Sequence, residues 1–83
     1  MKRNGILAAG NWIADQVKMV DVFPQRETLA NILSESPGTG GSPYNLLVNL
    51  SKLGAKIPLS AAGLVGKDAL GKTILADLKR HKI

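Results

Sequence analysis

The stretch "SPGTGGSPYNLLVNLSKLGAKIPLSAAGLVG", residues 36–66, constrains this chain most. Ser42 is a good N-cap and Pro43 a good first helical residue, because Pro has a preset φ and lacks an amide that would go unbonded there. Leu46, Leu47, Leu50 and Leu53 then form one apolar stripe at helical spacing, and Gly54 can take the left-handed conformation that ends a helix. Apolar runs lie on either side of this helix. "ILAAG" (Ile6 to Gly10) is short and unbroken, as in a strand buried on both faces. "KIPLSAAGLV" (Lys56 to Val65) alternates Ile57, Leu59 and Ala61, and Pro58 lacks a donor, so its pairing should start late or on one side only. Strands separated by a helix argue for an α/β chain with a Rossmann-like parallel sheet, and its crossovers are expected to be right-handed.

The remaining segments complete the order. "VKMVDVF" (Val17 to Phe23) is β-branched and ends at Pro24, which suggests a strand. "TLANILSES" (Thr28 to Ser36) suits either state: Leu29, Ile32 and Leu33 have helical spacing, yet the segment is short and closes on Pro-Gly. "SPGTGGSP" (Ser36 to Pro43), with three glycines and two prolines, reads as a loop. Asp68 can cap a last helix whose apolar face is Leu70, Ile74, Leu75 and Leu78. The expected order is strand, strand pair, helix, strand, helix, with about three strands in a thin sheet.

With 83 residues, one small domain is expected, and a domain of this size buries only about 60% of its unfolded surface. No apolar run is long enough to span a membrane. The basic tip "MKRNG" precedes an apolar run, but Asn11 and Asp15 interrupt it, so a signal peptide is not expected. The absence of cysteine excludes thiol chemistry and fits the cytoplasm. The net charge of +5 lies wholly in residues 52–83, which carry seven basic and two acidic groups. Lys52, Lys79, Arg80 and Lys82 would sit at helix C-termini, where cations offset the dipole. With only Trp12, Phe23 and Tyr44 as aromatics, a base-stacking surface is poorly supplied, which argues against nucleic acid.

Residues 66–73, "GKDALGKT", satisfy the phosphate-loop pattern. In that reading Gly66 and Gly71 shape the loop, Lys72 reaches the outer phosphates and Thr73 binds Mg2+. Against it, the loop interior holds the carboxylate of Asp68. A helix starting at Asp68 would also leave the Lys72 and Thr73 amides already bonded.

"GTGGSPYNLLVNLSKLGA" resembles the N-terminal signature of ribokinase-like carbohydrate kinases, the PfkB type. "ILAAGNWIAD" is similar to the family's opening strand and following aspartate, here Asp15. Residues 17–39 resemble its β lid, which favours strand for the ambiguous segment, and residues 40–83 its helix, strand and helix. "GLVGKDALGKTI" resembles the Gly-Asp-Asp-x-x-Gly turn, with Lys67 in place of the first aspartate. Two further departures are Leu47, where a small residue is usual, and a longer stretch from Gly54 to Gly66. The resemblance implies one partial α/β domain over 1–83, the front of a ribokinase-like fold. It also implies transfer of phosphate from ATP, with Mg2+, to a sugar hydroxyl. Asp15, Gly40, Gly41 and Asn45 would bind the sugar. The family's Gly-Ala-Gly-Asp-type catalytic motif does not occur in these residues, so no catalytic or metal-binding residue is expected and the chain alone should be inactive. Pairing of two copies through lid strands is a further expectation, and two rivals remain: a small phosphate-loop nucleotide binder and a non-catalytic interaction module.

Overall fold

A computed structural model describes residues 3–83; Met1 and Lys2, the start of the basic tip, lie outside the described residues. Six elements follow one another: β1 (Ile6–Ala9), β2 (Ile13–Val20), β3 (Ile32–Gly40), α1 (Ser42–Lys52), β4 (Leu59–Ala62) and α2 (Ala69–Arg80). The order is the expected one, and the chain is mixed α/β. β1 and β4 pair in parallel, with Ile6 opposite Leu59 and Ala9 opposite Ala62. β4 begins directly after Pro58, whose carbonyl still accepts from the Ile6 amide at 2.9 Å. The parallel sheet has two strands rather than about three, because β2 and β3 pair only with each other.

β2 and β3 form a long antiparallel hairpin from Ile13 opposite Gly40 to Val20 opposite Ile32, with a bulge between Met19 and Val20. Two expectations need correction. The strand read at Val17 to Phe23 starts earlier, at Ile13, and stops at Val20. Ser36 to Gly40, read as loop, is the second half of β3. Pro37 is tolerated there because β3 pairs on one side only, so no second neighbour asks for its missing amide. The ambiguous segment is extended from Ile32 onward, not helical.

Both helices end as capping chemistry dictates, with one correction. Gly41, not Ser42, is the N-cap of α1, and no side chain caps it. Its φ of 104° suits only glycine, and a Cβ there would overlap the Asn11 carbonyl oxygen. Gly54 follows α1 at φ 81°, as its left-handed role requires. Asp68 caps α2, accepting from the Gly71 amide at 2.9 Å. The buried face of α1 is Pro43, Leu47 and Val48; of the leucine stripe Leu47 is buried and Leu50 half-buried, while Leu46 and Leu53 are exposed. On α2, Ile74 and Leu78 are buried, whereas Leu70 and Leu75 are exposed. A two-stranded sheet is too narrow to cover a wide stripe on either helix. α1 lies against β1 and β4. Leu7, 68% exposed, lies on the sheet's bare side with Ala9, Ser60 and Ala62.

Candidate functional site

The connections leaving β1 and β4 meet at the carboxyl ends of the parallel strands, where open α/β sheets place ligands. Gly10, Asn11 and Trp12 leave β1, and Gly63 and Leu64 leave β4; with Ile13 they line a cleft of about 470 Å³. The Trp12 indole donates to the Ala62 carbonyl at 3.0 Å. A Cβ at Gly63 would overlap that indole, so Gly63 is small because Trp12 lies over it. Trp12 therefore ties the hairpin's first strand to the end of β4.

Asp15 stands in β2 opposite Gly38, at the hairpin base. Its carboxylate oxygen lies 3.2 Å from where a Cβ on Gly40 would be, so the buried Gly40 makes room for the carboxylate. With Gln16, Pro37, Gly38, Leu70 and Thr73, Asp15 lines a groove of about 430 Å³. Among the described residues its carboxylate makes no hydrogen bond or ion pair. Gly41 and Asn45 are joined by the first helical bond of α1, Asn45 amide to Gly41 carbonyl at 2.9 Å. The Asn45 side chain is exposed and lines neither concavity. The fold thus brings Asp15 to Gly40 and Gly41 to Asn45, with β3 running directly into α1 between the two pairs.

The Gly66 to Thr73 segment is a capped helix start. The Asp68 carboxylate lies beside Gly66 and accepts from the Gly71 amide. The Lys72 amide donates to the Asp68 carbonyl at 3.0 Å, and the Thr73 hydroxyl to the Ala69 carbonyl at 2.9 Å. The chain's own carboxylate thus occupies the Gly71 amide and the Lys72 amide is bonded within the helix, so neither is open to a phosphate as the segment stands.

A second cluster centres on Asp77, whose side chain is 11% exposed. One carboxylate oxygen accepts from the Tyr44 hydroxyl and, at 3.2 Å, from the Thr39 hydroxyl. The other accepts from the Arg80 guanidinium. β3, α1 and α2 are therefore joined at one carboxylate. The Tyr44 hydrogen bond, with smaller help from Thr39, Arg80 and His81, holds the Asp77 carboxyl below its ordinary value, against the opposing effect of burial. Burial first, and the bond to Asp77 second, raise Tyr44. At the far end of the hairpin, Asn31 donates from its backbone and side-chain amides to Asp21 at 3.0 Å each, which lowers the Asp21 carboxyl. Asn11, Thr39 and Asp77 escaped the sequence reading. Only Asn11 carried a signal, as the polar residue after Gly10 at a strand's carboxyl end. Among the described residues no three acidic or His side chains converge as a metal group would require.

No family model matches the chain, and a search of curated proteins finds no relative.

Proposed function

We propose that this chain is the sugar-binding part of an ATP-dependent carbohydrate kinase of the ribokinase type, with the β2–β3 hairpin as its lid. One observation carries the reading. Among the described residues the Asp15 carboxylate has no hydrogen-bond or ion-pair partner, and it sits against Gly40 near the base of the hairpin that follows β1. A carboxylate is acceptor-only and can take two sugar hydroxyls at once. Gly40 is buried beneath the Asp15 carboxylate, and Gly41 packs against the Asn11 carbonyl, so of the two only Gly41 leaves part of its backbone open to a sugar. Asn45, in the first turn of α1, offers both a donor and an acceptor. ATP supplies the phosphoryl group in such a reaction, and no residue of this chain is assigned to its transfer.

The test is an amide NMR titration of the chain with a panel of pentoses and hexoses. At least one sugar should shift Asp15, Gly40, Gly41 and Asn45 together and saturably, and Asp15→Ala should abolish the response while the other amides keep their positions. A panel that shifts nothing, or a response indifferent to Asp15→Ala, would sink the reading.

A further inference from the structure

The opposite end of the parallel strand pair carries a different chemistry. There the C-terminal ends of α1 and α2 and the residues leading into β4 enclose a groove of about 560 Å³, within the size range of ligand pockets. Its lining includes Lys52, Arg80, His81 and Lys82 with the apolar Ile57 and Pro58, and no acidic residue. We propose that this groove is an anion site for a small phosphate-bearing ligand. It stands apart from the sugar reading, because Pro58 precedes β4 whereas Gly63 follows it.

Helix chemistry explains part of this charge. Lys52 and Arg80 lie in last turns, where cations offset the dipole, and Arg80 is also paired with Asp77. Lys82, one residue past the C-cap of α2, shares that account in part, but its backbone conformation is unusual for a lysine. It lies beyond α2 at φ 60°, in the left-handed region where glycine is the default. Its amide donates to the Lys79 carbonyl and the Ile83 amide to the Leu78 carbonyl, both at 3.0 Å. Glycine would make the same closing bonds without the Cβ strain, so the turn itself does not call for a lysine.

Several carbonyls that would repel an anion are already engaged. The Ser51 hydroxyl donates to the His81 carbonyl at 2.9 Å, and the Gly54 and Ala55 amides to the Ser51 and Leu50 carbonyls at 3.0 Å each. His81 Nδ1 lies 2.8 Å from the Asp77 carbonyl oxygen, which only accepts, so Nδ1 carries the proton and Nε2 is the ring atom not used by this contact. No Phe, Tyr or Trp lines the groove, so stacking on nucleic-acid bases would rest on His81 and the Asp77-paired Arg80 alone. An open groove lined by cations and free of carboxylates suits a small phosphate.

The probe is inorganic tripolyphosphate, titrated into the full chain at moderate salt and followed by amide NMR. Saturable shifts are expected at residues 51–55 and 81–83. Lys82→Gly should weaken binding about fivefold, the scale of one exposed charge contact, while raising the melting temperature. Lys82→Arg should bind as the parent does. Shifts centred on residues 66–73, or unchanged affinity in Lys82→Gly, would overturn the assignment. So would an oligonucleotide that binds more tightly than tripolyphosphate and spreads its shifts over Lys56, Lys67 and Lys72, since that would mark a general polyanion surface.

Discussion

Gly41 and Gly54 both sit at positive φ, yet they differ in what surrounds them. At Gly41, φ is 104° and a Cβ would overlap the Asn11 carbonyl oxygen. At Gly54, φ is 81° and nothing lies within 4 Å of a built Cβ. Alanine at Gly54 should therefore cost only the left-handed strain, about 1 kcal/mol. Alanine at Gly41 adds backbone overlap to strain and should cost about 3 kcal/mol or more. It should also move the loop at Asn11 and so disturb the cleft. Urea unfolding of the two variants side by side checks the ranking, and equal losses would mean that the Asn11 contact is unimportant. Lys82 reverses the argument, since a side chain already occupies a left-handed position there. Lys82→Gly should stabilise the chain by about 1 kcal/mol in the same assay.

Among the elements, the hairpin holds the interest, because one carboxylate ties its base to both helices. Asp77→Ala leaves the Tyr44 and Thr39 hydroxyls without their acceptor and should cost about 1–3 kcal/mol. Faster amide exchange at the β3 end, with α1 exchange little changed, would show that the carboxylate anchors the hairpin. Asp77 binds its proton less tightly folded than unfolded, so its stabilisation is present above about pH 4, the unfolded value, and is lost as pH falls through the lower folded value. Tyr44 is raised, so its contribution is full below about pH 10 and is lost as pH rises through the higher folded value. The Asp77→Ala variant should lack this part of the acid loss, and an unchanged acid limb would place the loss elsewhere, for example at Asp21. None of this network was legible in the sequence, because Tyr44 and Thr39 lie 33 and 38 positions from Asp77. Local signals read well: Asp68 marked the start of α2, Gly54 the end of α1, and Pro58 the late start of β4. The β3 strand read as loop because Gly and Pro carry turn signals, while its pairing to β2 is a non-local fact. At the candidate site, Asp15 and Gly40 do adjoin. The placement of Asn45 outside both grooves depends on how α1 leaves Gly41, which no residue pattern encodes.

On the scale of the whole molecule, surface and shape point the same way. The accessible surface is 6931 Å², against about 4,800 Å² for a folded monomer of this mass. The radius of gyration is 16.7 Å, against about 12 Å for a chain of this length folded as a sphere-like domain. Much of the excess is apolar: Leu64 is 95% exposed, Phe23 91%, and the bare side of the parallel sheet carries Leu7. Parallel sheets are normally covered on both faces, and this one also leaves two strand edges unpaired. Such a surface favours association, whereas the net charge of +5 opposes it through repulsion that salt screens. The two effects separate by their salt dependence. Sedimentation at low salt should show a mostly monomeric species, and added salt should drive concentration-dependent association. Leu7→Lys should suppress that association with little loss of stability, because Leu7 is largely outside the core. A chain that stays monomeric at high salt with a radius of gyration near 12 Å would mean that the hairpin folds back over the bare sheet. If it stays monomeric near 17 Å, the exposed apolar face is too broken up by Ser60 and the small alanines to associate.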